Sequence, residues 1–458
     1  MKWLIEIEKK VQALSPDSAQ WGNWSIYKIP PMISDLNKKA YAPQMVSFGP
    51  YHHGEENLMA MEEHKERALL HFLKRTQVPL QSIYQSLVDE AQKLKDSYKS
   101  LEDSWHNDTE RFLQLMMMDG CFIIEILRVA CAEGREHSYH PDDPVFSDHG
   151  KLYVLPFIKR DMLLLENQLP MLVLIKLLGA TDKFDTQEEV MKSLNKLILR
   201  FCNQNCDPAT HPNLDKCVHI LDLHRKSLLG KTHSNNKTHP SRLSGCFERV
   251  CHYRSILTSC KLITLICRFP QLDNNNSIIF HSATELYEAG IRFKKSNTPF
   301  LDDISFKNGI LRLPTFIVDD MTESTFLNLI AFERCHVGAG HHITSFICFM
   351  DNIVEVGHDI NHLCSAGVLK NATGSHKAAA TLFNTMTKDL TMDPRGELSG
   401  VQAEVAKSCK KPWNKYRANL IQTYFRSPWA LISVIAAILL FGLTIVQTIY
   451  SILGYGQG

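Results

Sequence analysis

Apolar residues along this chain recur mostly at three- and four-residue steps, a spacing that predicts a mainly α-helical protein. At the start, Trp3, Leu4, Ile7, Val11 and Leu14 give Met1–Leu14 one apolar face. Glu6, Glu8, Lys9 and Lys10 interrupt any run that could serve as a secretory signal. Tyr27 to Gly54 loses the helical period. Pro30, Pro31, Pro43 and Pro50 each lack an amide donor and restrict the residue before them, so an extended segment with turns is predicted. Helical spacing returns at Leu58, Met61, Lys65, Leu69 and Phe72, with Asn57 as the expected cap, and Leu80–Leu101, after Pro79, reads as another amphipathic helix.

Two later segments are far more apolar. Glu110–Ala132 is cut by Asp119, Gly120, Glu125 and Arg128, which makes it too charged to cross a bilayer and predicts a buried core helix. Lys159–Gly179 is a second buried pattern, with Pro170 expected to break it near Leu169 and Gly179 to stop it. Thr186–Cys202, Asp215–Leu229, Ser282–Ala289, Thr322–Glu333, Phe346–Glu355 and His376–Asp389 also carry helical spacing, and Arg249–Arg268 is read as helix. Glu133–Gly150, Asn203–Leu214 and Gly230–Gly245 read as loops. One stretch has β character. Ile304 and Phe306 alternate with polar neighbours, Asn308-Gly309 is a hairpin dipeptide, and Ile310, Leu311, Leu313, Phe316 and Val318 continue as strand.

The last apolar stretch, Trp429–Leu453, contains no charged residue. As a helix it would extend about 37 Å, against a hydrocarbon core of about 30 Å. It is expected to cross a membrane, with Trp429, Leu431, Ile435, Leu439, Phe441, Ile445 and Ile449 as anchor residues. Lys407, Lys410, Lys411, Lys415, Arg417 and Arg426 precede it without an acidic residue among them. The positive-inside rule then places the body in the cytosol and the short tail across the membrane, a tail-anchored topology. The expected organisation is an N-terminal amphipathic segment (1–26), a helical domain (27–405), a basic juxtamembrane linker (406–428), the transmembrane helix (429–453) and a tail (454–458). N-x-[ST] sequons at Asn23, Asn107, Asn236, Asn275 and Asn371 would matter only if the body were lumenal.

Composition narrows the chemistry. A net charge of +1 provides no field for wholesale nucleic-acid binding. Thirteen cysteines, an odd number in a long chain, fit reduced thiols in a cytosolic compartment. Cys202, Cys206, Cys217 and His219 can be drawn as a zinc site, and Cys246, Cys251 and His252 as a weaker one, but the spacings are unusual and ordinary thiols explain them. His52-His53 read as turn residues packed on the following helix. Cys335-His336 with His341-His342 could pair a nucleophile with a base. Asp119, Glu125, Asp161 and Glu166 could pair as carboxylates, although buried salt bridges or helix-end contacts to Arg128 and Arg160 explain them better. There is no GxSxG, P-loop or GxGxxG cradle. No catalytic residue, cofactor or metal is assigned, and an enzyme is not expected.

Taken in order, AYAPQMVSFGPYHHG (Ala40–Gly54), MEEHK (Met61–Lys65), MMMDGCFIIEIL (Met116–Leu127), RDMLLLENQLP (Arg160–Pro170), HILDLHR (His219–Arg225), SATELYEAGIRFK (Ser282–Lys294), the ILRLP hairpin, NLIAFE (Asn328–Glu333), FMD (Phe349–Asp351) and a terminal YF…PW before the apolar run resemble the plant domain-of-unknown-function 247 family, from about Tyr27 to Leu453. The family motif residues are Tyr41, Pro43, Gly49, Pro50, Tyr51, His52, Asp119, Gly120, Glu166, Asn167, Gln168 and Pro170. The resemblance implies a land-plant, single-pass membrane protein with no assigned enzymatic activity, in a family with members linked to pollen self-incompatibility, stress or development. The chain departs from the pattern at Pro30-Pro31, Met171-Leu172 and Cys335-His336, which weighs against transferring a self-incompatibility role. The resulting expectation is a membrane-bound protein that acts on an unidentified protein partner in signalling or recognition, with the lipid bilayer and no nucleic acid as its other contact. The alternative is a membrane-anchored enzyme of unrecognised type using His/Cys or buried carboxylate residues.

Overall fold

The structure is a computed structural model whose described residues are 2–12, 23–131, 139–181, 184–202, 214, 216–230, 281–390, 396–409 and 428–455. They are mainly helical, with two small sheets. Packing divides the chain into two compact units, Met1–Gly230 with Asp320–Thr344 and Lys231–Asp319 with Ser345–Gly458.

The first unit begins with α1 (Lys2–Gln12), as its spacing predicts. The proline-rich segment is extended in part, but it also folds two short helices, α2 (Pro31–Ser34) and α3 (Lys38–Tyr41). Pro31 opens α2 at the position where a missing amide costs nothing. A 3-10 turn, Glu56–Met61, contains Asn57 in its interior, so α4 (Glu62–Thr76) is not capped by that residue. Glu62 and Glu63 in its first turn and Lys74 and Arg75 in its last complement the helix dipole. The single helix expected over Leu80–Leu101 is instead α5 (Leu80–Val88) and α6 (Ala91–Asp96), separated at Asp89-Glu90. Next come α7 (Asp103–Asn107) and the 23-residue α8 (Thr109–Cys131), on which α4, α5, α11 (Met171–Thr181) and α12 (Gln187–Cys202) pack. Gly120 makes the α8–α11 approach possible. A Cβ there would lie 2.4 Å from Leu177 Cδ1 and 2.9 Å from Val173 Cγ1.

Between α8 and α11 lie α9 (Asp148–Tyr153), capped by Ser147, and α10 (Leu155–Asp161). The helix break expected near Leu169 begins earlier, at Met162. There the side-chain amides of Asn167 and Gln168 take up the carbonyls of Asp161, Met162 and Leu164. Pro170 only precedes the start of α11. The helix expected from Asp215 starts later, as α13 (Ile220–Ser227), and its cap is the imidazole of His219, whose Nδ1 accepts from Asp222 N.

In the second unit Ser282 and Glu285 form a reciprocal cap on α14 (Ala283–Glu288). The expected hairpin is present. β2 (Ser305–Lys307) and β3 (Ile310–Leu313) are antiparallel, joined through Asn308 and Gly309 with φ of 54° and 74°, the signature of a type I′ turn. β1 (Arg292–Lys295) adds a parallel edge in the register Phe293↔Leu311. β4 (Phe316–Val318) leaves that hairpin and pairs in parallel with β5 (Leu369–Asn371), a second sheet that the strand pattern does not reveal. The helices expected near Thr322, Phe346 and His376 are α15 (Thr322–Cys335), in the first unit, α16 (His342–Ile353) and α18 (His376–Met386). Two further helices, α17 (Gly357–Ser365) and α19 (Glu397–Cys409), lie outside the segments whose spacing predicts helix. The last helix is α20 (Pro428–Tyr455). Arg249–Arg268, Gly230–Gly245 after its first residue and most of Asn203–Leu214 lie outside the described residues.

Candidate functional site

The centre of the first unit is polar. Lys65, on the inward stripe of α4, is completely buried, and its Nζ lies 2.7 Å from Asp119 of α8, which is also completely buried. The same ammonium donates to Glu62 and to Ser47 O, each at 2.7 Å. Burial opposes the charge on Lys65, but the two carboxylates outweigh it and hold the amine above its ordinary range. Burial also pushes Asp119 upward. The charged pair still prevails, because a neutral acid there would leave a deeply buried ammonium without its second counter-ion.

From this pair the network runs into the proline-rich segment. Gly49 N donates to Asp119 Oδ2 at 2.8 Å. With φ at 71° and a Cβ position 2.9 Å from Tyr98 Oη, only glycine fits that site. Asn167 accepts from Phe48 N at 2.6 Å and donates to Val46 O at 3.0 Å. One Asp161 oxygen accepts from three successive amides, Gln44, Met45 and Val46, at 3.0, 2.7 and 3.0 Å. Arg160 donates to Asp161 at 2.8 Å and to Ala42 O. Gln168 Oε1 accepts from Leu221 N, while Gln168 O accepts from Tyr98 Oη. Asn328 of α15 bonds Ala40 O and Leu165 N. The segment 40–49, whose first two residues close α3 and which lacks a ladder of its own, is therefore hydrogen-bonded by side chains from four helices and a turn.

At the rim, His52 Nδ1 lies 2.7 Å from Glu55, and its Nε2 lies 3.3 Å from Glu166. Burial would lower this imidazole, yet the two carboxylates together hold it above its ordinary value. Glu166 also accepts from Ile29 N, and Tyr51 donates to Lys99 O. Beside α13, Arg225 donates to Ala339 O and pairs with Asp222, while Glu333 accepts from Ile343 N and Thr344 N at the start of α16.

The network brings together most of the expected motif residues: Gly49, Tyr51, His52, Asp119, Glu166, Asn167 and Gln168. Tyr41 is buried at the end of α3, Gly120 is the α8–α11 contact, and Pro170 ends the Gln168 turn. Pro43 and Pro50 flank the stretch Gln44–Gly49, most of whose amides the network takes up. The paired-carboxylate drawing does not assemble, because each acid has its own partner. For Glu125 these are Arg75 at 2.6 Å and Tyr139 at 3.0 Å. The expected Arg160 contact is made to Asp161; Lys65, not an arginine, takes Asp119. The zinc drawing fails at His219, whose Nε2 faces Ser25 O and whose Nδ1 is the α13 cap. Burial lowers that imidazole to about 4. Cys206, Cys246, Cys251 and His252 lie outside the described residues. His336 is held by Tyr27 Oη at 3.0 Å and stacks on Phe332, and burial raises the Cys335 thiol, the opposite of an activated nucleophile. What the spacing could not show is Lys65 as a core cation. It sits on an apolar stripe with no local sign of the acid it meets.

The second site candidate is α20. Its stretch Ile432–Tyr450 is long and apolar enough to cross a membrane, and none of it is buried against the protein. Ile435, Leu439, Phe441, Ile445 and Ile449 are exposed; Trp429 and Leu431 fall within the same helix. Lys407 is exposed on α19, whereas Lys410, Lys411, Lys415, Arg417 and Arg426 lie outside the described residues.

A family model described as a plant protein of unknown function, DUF247, matches residues 26–443. The chain belongs to that family. It is 29% identical to UPF0481 protein At3g47200 of Arabidopsis thaliana, over 97% of this chain and 90% of the relative. It is 21% identical to putative UPF0481 protein At3g02645 of the same plant, over 97% and 94%. No solved structure matches the chain. Within this DUF247 chain, three of the segments that carry the family likeness, Ala40–Gly54, Met61–Lys65 and Met116–Leu127, meet at the Lys65–Asp119 pair.

Proposed function

We propose that the protein is a membrane-anchored interaction module whose helical body faces the cytosol and engages a protein partner in signalling or recognition. The observation that carries this reading is the exposed apolar cluster Leu152, Tyr153 and Phe157 on α9 and α10. Large apolar side chains exposed on two short consecutive helices, the first capped by Ser147, are what a protein partner desolvates at low cost. The ionisable groups of the buried network are turned onto one another and onto backbone, which supports a rigid frame rather than a reacting centre. The uncharged Ile432–Tyr450 stretch supports anchoring, and the basic residues before it support a cytosolic body.

The test is proximity labelling from the full-length chain, comparing wild type with Tyr153→Glu/Phe157→Glu. The expected outcome is a defined set of labelled cytosolic proteins that the double variant loses while keeping its melting temperature. An unchanged set, or a body protected from protease in intact microsomes, overturns the reading. Deletion from Ser427 onward should move the protein out of a carbonate-washed pellet.

A further inference from the structure

The circumference of α20 is not uniform. At 100° per residue, Ser433, Ala436, Ala437, Thr444, Gln447 and Thr448 fall within one arc of about 120°, which they share with Leu440. Large apolar side chains cover the rest, and Gly442 lies outside the arc. The two threonines satisfy their own hydroxyls, Thr444 Oγ1 donating to Leu440 O at 2.8 Å and Thr448 Oγ1 to Thr444 O at 2.7 Å. Gln447 is different. Its amide is exposed and has no hydrogen-bond partner among the described residues.

That amide sits three residues inside the end of the Ile432–Tyr450 stretch. Helical side chains lean towards the helix N-terminus, so Gln447 leans deeper into the hydrocarbon and not out to the headgroups. An amide there without a partner is costly, and no part of the span is buried against its own chain. The partner has to arrive on another helix. An amide both donates and accepts, so its simplest complement is a second amide at the same depth and in the same orientation.

We infer that α20 pairs in parallel with the α20 of a second copy of this chain, the two Gln447 amides hydrogen-bonding across a two-fold interface. Small side chains on the same arc let the two backbones approach closely enough for that bond. The inference rests on the membrane-anchoring part of the proposed function.

Two differently tagged full-length copies, co-expressed and recovered from a carbonate-washed membrane pellet, test it. Wild-type copies should co-precipitate. Gln447→Leu should stay in the pellet while its co-precipitation falls roughly three- to twentyfold, and Gln447→Asn should retain most of it. Thr444→Cys, on the arc, should form oxidant-dependent dimers in the membrane, and Gly442→Cys, on the opposite face, should not. Equal cross-linking at both positions, or wild-type copies that share the pellet without associating, overturns the pairing. A wild-type chain that leaves the pellet overturns the anchor, and the pairing with it.

Discussion

Among the described residues, α8 and α20 are the two long apolar helices, of 23 and 28 residues, and their environments are opposite. α8 carries Asp119, Glu125 and Arg128 within its apolar run, and most of its residues are buried among other helices. α20 carries no charge between Ile432 and Tyr450, and none of that stretch is buried. The difference lies in what each charge meets. Asp119 finds Lys65, Glu125 finds Arg75 and Tyr139, and each pairing draws another helix or loop against α8. A helix with no such groups has nothing to specify a neighbour within the fold and suits a solvent that asks for none.

The largest expected effect breaks the α8 side of that contrast. Asp119→Ala leaves the Lys65 ammonium in the core with Glu62 and Ser47 as its partners, and removing one member of a buried pair costs about 3–5 kcal/mol. Chemical denaturation of the full chain in detergent should show this loss, and Lys65→Met/Asp119→Leu should recover a large part of it. A single-variant loss within the range of ordinary surface substitutions would mean that the pair does not organise the core. On the other side, Leu439→Arg puts a charge at the middle of α20. Insertion should become less favourable by about 2.5–3.5 kcal/mol, read as loss of the protein from the carbonate-washed pellet.

This contrast was legible in the sequence because it is local: charges inside an apolar run, or their absence, are visible along the chain. The hairpin was legible for the same reason, since Asn308-Gly309 states its own turn. The network was not. Lys65 appears in the sequence as one more position on an inward stripe, and only the fold sets it against Asp119. Proline drew the expected helix break to Leu169, whereas Asn167 and Gln168 stop the helix at Met162 by bonding carbonyls that a further turn would have used. β1 is charged on its exposed positions, and its parallel partner β3 is fixed by tertiary contact rather than by pattern.

A subtler contrast between the two helices lies in their glycines. Gly120→Ala forces Leu177 and Val173 of α11 to move, and overpacking of that kind costs about 1–3 kcal/mol. Gly442→Ala in α20 meets nothing within 4 Å and should leave the melting temperature and membrane insertion unchanged. Equal effects of the two substitutions would show that α8 is not in close contact with α11.

The smallest expected effect concerns pH, because the frame around α8 titrates at its rim while Ile432–Ile449 holds no titratable group. His52 is the group concerned. Glu166 and Glu55 face its two nitrogens, and together they outweigh burial to raise its folded value above the unfolded one of about 6.5. A group raised on folding binds its proton more tightly in the folded state. Its contribution is fully present below the unfolded value and disappears as pH rises through the folded one. Wild type should therefore lose stability relative to His52→Gln as pH increases from about 6 into the alkaline range, with the two chains differing by a constant amount below that. Thermal melts of both chains across that range give the comparison directly. Parallel profiles throughout would show that the imidazole does not clasp Glu55 and Glu166 as an ion. A difference that grows towards acid would reverse the sign and place His52 among the residues held neutral by burial, as His219 is.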